Sequence, residues 1–142
     1  MKQTITVPAC EERLDDVISF VVKAMKETGI ESKTQSSVKV AVGEIFVNIM
    51  SYAYPSGEFG EVTVSATAEA DRLVIEFADS GTPYDPLAKA DPDTTLPAAE
   101  RDIGGLGVYM VKKMMDNVSY RYEGNQNILT IEKNYEPKNY AS

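Results

Sequence analysis

The chain has 142 residues, a formal net charge of −8 and a hydrophobic content of 43%, which together fit one globular domain of ordinary size. The acidic balance argues against nucleic-acid binding, because that binding relies on basic residues to displace counterions from phosphates. No apolar run approaches the roughly 20 residues of a membrane span, and the first ten residues have no apolar signal core. Since the one cysteine, Cys10, cannot form an internal disulfide, we expect a cytoplasmic protein.

The chain contains no histidine. This excludes a Ser-His-Asp triad, a Cys-His pair, a His-ligated metal and autophosphorylation on histidine. The HRD catalytic loop of eukaryotic-type protein kinases is therefore impossible, and no GxxxxGKS or GxxxxGKT phosphate loop occurs. A nucleotide stays compatible with an acidic chain, because a magnesium ion and backbone N–H groups can hold phosphate locally. If the chain handles ATP, it belongs to another class of nucleotide-binding protein.

Hydropathy patterns predict five strands and three helices in the order β-α-α-β-β-loop-α-β-β. The predicted strands are residues 2–7, 61–68, 72–79, 117–123 and 127–133, and the predicted helices are 11–28, Ser36 or Ser37 to about Ala53, and 104–116. Turns around Ala70-Asp71 and Gly124-Asn125 favour two hairpins. We therefore expect one domain over residues 1–142, a two-layer α/β sandwich whose mixed, mostly antiparallel sheet is covered on one face by three helices.

Glu44 and Asn48 lie four residues apart in an otherwise apolar helical run. That spacing places both side chains on one face of the helix. The pair is either a solvated helix edge or the lining of a cleft. In a cleft, the amide oxygen of Asn48 suits magnesium, which prefers oxygen ligands, and the carboxylate of Glu44 can orient or deprotonate an attacking hydroxyl.

Asp79 ends an apolar strand and precedes Ser80-Gly81. An aspartate before glycine is common in turns, so a structural role is one interpretation. The other is a half-buried acceptor for an exocyclic amine, which would reject ligands that lack the donor. In that case Gly81 would let the backbone approach a flat base.

Glycines open the third predicted helix, in the sequence Gly104-Gly105-Leu106-Gly107. Exposed N–H groups at a helix N-terminus attract an anion, and the helix dipole adds to this attraction. The alternative is a tight loop-to-helix turn. A Rossmann dinucleotide site does not fit, because no strand directly precedes the turn and no parallel strand is predicted to follow it.

The three motifs, in this order and spacing, resemble those of the GHKL ATPases, the superfamily of Hsp90, gyrase B, MutL and the histidine kinases. The similarity runs from about Thr4 to Lys133, and its boxes here read EIFVNIMSYAY, FADSGTPYDP and ERDIGGLGVYMVKKMMD. Within the superfamily the chain looks most like the anti-sigma-factor serine/threonine kinases, which are single short domains without a histidine-bearing dimerisation helix pair.

The resemblance implies the Bergerat ATP-binding fold with ATP and Mg²⁺ as cofactors. Asn48 would chelate the magnesium that bridges the phosphates. Glu44 would act as the catalytic base, or would orient the attacking serine hydroxyl of a partner protein. Asp79 would accept the adenine amine, and Gly81 would lie beside the base.

The resemblance also implies a phosphate-binding end of the site. Gly105 and Gly107 would offer N–H groups to the phosphates, with Leu106 beside them. Residues 82–103 would form the ATP lid. Arg101, near the end of that lid, either meets phosphate charge or is a solvated lid residue.

Two positions depart from the family pattern. Tyr52 stands where members often have a histidine after the asparagine, and Gln126-Asn127 replaces a late-strand Gly-Thr. Neither change removes the expected magnesium or adenine ligands, so both leave nucleotide binding better supported than phosphotransfer.

Three functions are open. The first is an ATP-dependent serine/threonine protein kinase and anti-sigma factor. It would phosphorylate a STAS-domain anti-anti-sigma protein and, as a plausible homodimer, would sequester a sigma factor or similar regulator. The second is a catalytically weak ATP-binding interaction module that sequesters a regulatory partner. The third is an α/β sandwich that binds no nucleotide. None of the three needs nucleic acid or a membrane.

Overall fold

The computed structural model describes residues 2–54, 60–88 and 105–136. Its elements in chain order are β1 Lys2–Pro8, a 3₁₀ turn Glu11–Arg13, α1 Leu14–Lys26, α2 Ser32–Tyr52, β2 Glu61–Ala68, β3 Arg72–Asp79, α3 Gly105–Met114, β4 Asn117–Glu123 and β5 Gln126–Asn134. Every predicted element is therefore present, and the differences lie at element ends. No helix in these three ranges is long and apolar enough to cross a membrane.

The five strands form one sheet in the order β1-β2-β3-β5-β4. All four pairings are antiparallel, so the strands within the described ranges contain no parallel pair. The turn between β4 and β5 uses Gly124 and Asn125 at φ 61° and 62°. Glycine and asparagine are the residues that adopt this left-handed conformation most readily, which explains the predicted hairpin. The two-layer sandwich is confirmed, and the sheet, which was predicted to be mixed and mostly antiparallel, is antiparallel at all four described pairings.

The core lies between the sheet and the three helices. Helix α1 packs on β1 and β2, α2 packs against both other helices, and α3 reaches β4. Strand β3 confirms the prediction from alternating hydropathy. Its residues Leu73, Ile75 and Phe77, which were predicted to point inward, are all buried. Their largest fully buried companions are Phe46, Met25, Ile131, Val17, Val21, Val38, Val42, Val62 and Val64.

Helix α2 begins at Ser32, four or five residues earlier than the predicted start at Ser36 or Ser37. The prediction used Ser36 or Ser37 as a capping residue. Instead, the hydroxyl of Ser36 donates to the carbonyl oxygen of Ser32 over 3.2 Å, a bond made inside a helix rather than at its cap. A side chain inside the helix also bonds to the segment before it, since Nε2 of Gln35 donates to the carbonyl oxygen of Ile30 over 3.0 Å. The result is a helix of 21 residues, and its C-terminal half lines one cavity together with the end of β3.

Candidate functional site

A cleft lies between the C-terminal half of α2 and the ends of β3 and β5. Its inner cavity has a volume of about 30 Å³. A second cavity of about 10 Å³ shares Ile45, Asn48, Pro86 and Leu129 with it and extends to Glu44 and α3. The full lining of the inner cavity is Ile45, Asn48, Ile49, Ala53, Phe77, Asp79, Tyr84, Pro86, Tyr120, Asn127 and Leu129. The fold thus brings three of the predicted site residues, Glu44, Asn48 and Asp79, along one cleft.

Asp79 is the buried acid of the cleft, with 3% of its surface exposed. Its Oδ1 accepts hydrogen bonds from the backbone N–H of Gly81 and from Nδ2 of Asn127, each over 2.9 Å. Burial raises the pKa of Asp79 because it penalises the charged form, while the two hydrogen bonds lower it. The bond from Gly81 is the turn role expected of an aspartate before glycine. The turn role and a place in the cavity wall are therefore compatible.

Asn127 connects the polar groups of the cleft by hydrogen bonds, and only 5% of its surface is exposed. Its Nδ2 donates to Asp79 and, over 2.9 Å, to the carbonyl oxygen of Thr82. Its Oδ1 accepts the backbone N–H of Tyr84 over 3.0 Å and the hydroxyl of Tyr120 over 2.5 Å. The amide therefore uses both donor hydrogens and both acceptor positions.

Sequence reasoning did not count Asn127 among the site residues. A signal for it existed, because Asn127 lies in phase with Leu129 and Ile131 on the inward side of β5. A polar side chain in such a register must find hydrogen-bond partners inside the fold. The sequence alone did not say which partners these are.

Gly81 lies against the residue that follows α2. A Cβ atom built at this position would come within 2.3 Å of the carbonyl oxygen of Ala53, and the next residue, Thr82, donates its N–H to that same oxygen over 2.9 Å. Only glycine fits such a contact with backbone. The structure therefore gives Gly81 a packing reason that is separate from the predicted approach to a base.

Tyr84 lines the cavity beside α2. Its ring stacks on Tyr52 with 4.7 Å between ring centres and 14° between planes, and Pro86 behind it is buried. The remaining 30 Å³ accommodates about two water molecules. This volume is too small for a nucleobase, so part of the lining must move before a base can enter.

Glu44 lies exposed at the outer end of the cleft, beside the start of α3. A Cβ atom at Gly107 would come within 2.4 Å of Oε2 of Glu44, so the predicted base and the glycine-rich helix start are neighbours. Gly105 and Leu106 occupy the first turn of α3, where only the backbone is described. Gly104, Arg101 and the predicted lid from residue 89 onward lie outside the described residues.

The cleft offers few ligands for a metal ion. The described ranges contain no group of three or more histidine, cysteine, aspartate or glutamate side chains that could hold one. What the cleft does offer is the amide of Asn48 and the carboxylate of Glu44. Magnesium is commonly bound by one or two protein oxygen ligands together with waters and substrate phosphates. The donor set fits an ion that arrives with a nucleotide.

The pattern described as the histidine kinase-like ATPase domain matches residues 7–133. The chain therefore belongs to the histidine kinase-like ATPase domain family, and the resemblance to the GHKL ATPases is confirmed. Curated relatives carry the name serine-protein kinase RsbW. The one from Listeria monocytogenes serovar 1/2a is 27% identical over 126 residues, which cover 86% of this chain and 80% of the relative. The one from Bacillus cereus strain AH187 is 26% identical over 132 residues, which cover 90% and 82%.

Solved structures share the fold at lower sequence identity. The crystal structure of the RsbU and RsbW domains of Rv1364c from Mycobacterium tuberculosis superposes with a TM-score of 0.67 at 13% identity. That match covers 100% of this chain, which spans about a third (35%) of the longer protein. The nucleotide-free catalytic domain of the histidine kinase ThkA gives a TM-score of 0.56 at 12% identity, with 96% of this chain and 99% of that domain covered. These likenesses support the fold alone.

Proposed function

We propose that the chain is an ATP-dependent serine/threonine protein kinase and anti-sigma factor that acts in a partner-switching system. Its protein substrate would be a STAS-type antagonist, and its sequestered partner a sigma factor or similar regulator. Family membership and the relatives named serine-protein kinase support this proposal. The observation that carries it is the cleft itself, in which the buried acid Asp79 lies at one end and Glu44 at the other, with Asn48 between them.

Asp79 is the proposed reader of the adenine base. A buried carboxylate that lines an apolar cavity gains most from a ligand that donates a hydrogen bond to it, and the exocyclic amine of adenine is such a donor. Phe77, Ile49 and Leu129 supply the apolar walls around it. Gly81 keeps the turn beside Asp79 close to the end of α2.

Asn48 is the proposed ligand of a magnesium ion bound with the nucleotide. The ion would neutralise charge on the phosphates during transfer. The N–H groups of Gly105, Leu106 and Gly107 at the start of α3 would bind the phosphates, since a helix N-terminus favours anions. Arg101 would add positive charge from the lid.

Glu44 is the proposed base. It is exposed, so the hydroxyl of a partner protein can reach it, and it lies beside the helix start that would hold the phosphates. In the transfer, the partner's oxygen forms a bond to the γ-phosphorus and the bond from that phosphorus to the ADP oxygen breaks. The hydroxyl proton passes to the carboxylate of Glu44.

The nucleotide site is tested by calorimetric titration with ATP, in magnesium and again in EDTA, together with Asn48→Ala. Binding that requires both magnesium and Asn48 is expected. Kinase activity is tested by incubating the protein with γ-labelled ATP and purified STAS-domain proteins of the source organism. Glu44→Gln should abolish labelling while ATP binding persists, and Glu31→Gln, an exposed change at the other end of the same helix, should leave labelling normal. Normal labelling by Glu44→Gln would contradict the assigned base.

A catalytically weak binding module is the second candidate. The small cavity favours it, because a nucleotide that displaces Tyr84 from Tyr52 on entry also changes the surface beside α2. In this case ATP would switch partner affinity without phosphotransfer. The labelling experiment separates the two candidates, since a module binds ATP and its partner but labels no STAS protein. The cytoplasmic location and the homodimer stay predictions, and sedimentation equilibrium tests the second.

A further inference from the structure

We propose that Asn127 is a positioning residue that makes the cleft select a base carrying an exocyclic amine and that ties this selection to the loop at residues 82–84. The inference rests on the proposed nucleotide site and adds to it a residue outside the predicted ligands. It is carried by the four hydrogen bonds of one buried side chain.

The orientation of the amide is fixed by its partners. Nδ2 faces two acceptors, the carboxylate of Asp79 and the carbonyl of Thr82, while Oδ1 faces two donors, the N–H of Tyr84 and the hydroxyl of Tyr120. A flipped amide would place donor against donor and acceptor against acceptor at all four contacts. Asn127 therefore presents a donor to Asp79 permanently.

This donor decides which atom of Asp79 can meet a ligand. Oδ1 already accepts two hydrogen bonds, from Asn127 and Gly81. The other carboxylate oxygen has no hydrogen bond to any residue in the described ranges, and Asp79 lines the cavity. Two donors on Oδ1 stabilise the ionised carboxylate, so the second oxygen acts as an acceptor. A base with an amine satisfies that acceptor, whereas a base with a carbonyl at the same place repels it.

The same amide also holds the loop at residues 82–84, whose Tyr84 lines the cavity. Its bonds to Thr82 and Tyr84 fasten the backbone on both sides of Pro83 to β5. Since Tyr84 lines the cavity, a movement of this loop that widens the cavity strains or breaks bonds to the residue that positions Asp79. The side chain of Asn127 therefore affects both the recognition of the base by Asp79 and the position of the loop.

Two substitutions separate the two roles. Asn127→Asp keeps an acceptor for Tyr84 and Tyr120 but removes the donor to Asp79 and places a second carboxyl group beside it. Asn127→Thr keeps a hydroxyl that can donate to Asp79 but removes the amide oxygen that Tyr84 and Tyr120 use. Asn125→Asp is the matched control, an exposed residue in the turn of the same hairpin.

The first readout is the ratio of calorimetric dissociation constants for ITP and ATP with magnesium, because inosine carries a carbonyl in place of the adenine amine. We expect wild type and Asn125→Asp to prefer ATP by about tenfold or more, the effect of one unpaired buried polar group. In Asn127→Asp the two acids share one proton in the contact between them, so the second oxygen of Asp79 carries less negative charge and is a weaker acceptor, and the ratio should fall below about threefold. Asn127→Thr should keep the wild-type ratio.

The second readout is amide hydrogen exchange in the nucleotide-free protein. Asn127→Thr should speed exchange of the Tyr84 amide about tenfold through local opening, and Asn125→Asp should leave it unchanged. A Tyr84 rate like that of wild type in Asn127→Thr overturns the link to the loop. This readout needs no nucleotide, so it decides that part even if the nucleotide site fails.

The outcomes distinguish the two proposals. If wild type binds no nucleotide, the proposed function fails and the base selection fails with it. If wild type binds ATP but Asn127→Asp weakens ATP and ITP equally, the nucleotide site stands and the positioning role is overturned, because a merely structural residue leaves the ratio unchanged. If Asn127→Asp does not fold, Asn127→Thr decides, since loss of the ATP preference despite its hydroxyl overturns positioning by a single donor.

Discussion

Asp79 and Asn127 lie opposite each other in the β3–β5 ladder, and Nδ2 of Asn127 donates to Oδ1 of Asp79 over 2.9 Å. Both side chains point to the core side of the sheet, at the end where the apolar ladder gives way to the cleft. A buried polar pair in a sheet is stabilising only if its hydrogen bonds are complete. Here the register of two strands completes them and at the same time builds the polar end of the candidate site.

Replacing Asp79 with asparagine should alter the pH dependence of stability. Burial raises the pKa of Asp79 above its ordinary value of 3.8, so the folded state holds this proton to a higher pH than the unfolded chain does. The contribution of Asp79 to the stability of the wild type therefore falls as pH rises from 3.8 to the folded pKa. The free energy of unfolding of Asp79→Asn minus that of wild type should rise across this window and then stay constant.

Urea unfolding of both proteins at intervals from pH 4 to pH 7 measures this difference. The other carboxyl groups titrate alike in the two proteins and cancel. A difference that does not change with pH would contradict the raised pKa. The same variant should lose ATP affinity at neutral pH, because an amide cannot supply a charged acceptor to the base.

The hydroxyl of Tyr54 joins three elements, and its removal should destabilise the fold. Tyr54, which follows α2, donates to the carbonyl of Glu61 in β2 over 2.9 Å and accepts the N–H of Ser80 after β3 over 3.0 Å. Tyr54→Phe leaves both backbone groups without their partner and should lower the free energy of unfolding by about 1–3 kcal/mol. Tyr122→Phe, on a side chain that is 46% exposed, is the control and should change it by less than about 0.5 kcal/mol. Equal effects in denaturant melts would show that the Tyr54 bonds contribute nothing specific.

Two glycine substitutions in one fold should have opposite signs. Gly81→Ala places a methyl group 2.3 Å from the backbone oxygen of Ala53, which can move only with the end of α2, so a loss of about 1–3 kcal/mol is expected. Gly43→Ala lies on α2, where a Cβ meets no atom within 4 Å, so a gain of about 0.5–1 kcal/mol is expected from helix propensity. Thermal or denaturant unfolding measures both. A neutral Gly81→Ala would mean that the close approach is relaxed in solution.

Removing the ring of Tyr52 should make the cavity easier to open. The stack of Tyr52 on Tyr84 contributes about 0.5–1.5 kcal/mol to the closed arrangement. If that arrangement dominates without nucleotide, Tyr52→Ala should raise the association constant for magnesium–ATP by about two- to tenfold. Val47→Ala, another exposed position on α2, is the control for titration calorimetry. An unchanged or weaker affinity in Tyr52→Ala would show that the stack does not compete with the nucleotide.

Local patterns predicted most of the elements because their causes are local. The ends of β2 and β3 agree with the predicted ranges. In these strands the alternation of apolar and polar side chains along the sequence indicates which face is buried. The start of α2 was wrong, because a serine hydroxyl can cap a helix or bond back to the preceding turn, and Ser36 does the second. The choice between those two bonds depends on the backbone that surrounds the serine.

The sequence by itself determined the fold class, the common face of Glu44 and Asn48 on α2, and Asp79 at the end of a strand, because each follows from a repeat of 3.6 or 2 residues along one segment. Only the tertiary structure decided that Asn127, 48 residues further along, meets Asp79, that Gly81 lies in contact with Ala53, and that Tyr84 stacks on Tyr52. The physical reason is strand pairing. Register is set by the burial of whole faces across the sheet, so the neighbours of a polar side chain are fixed only when all five strands and the helices above them are in place.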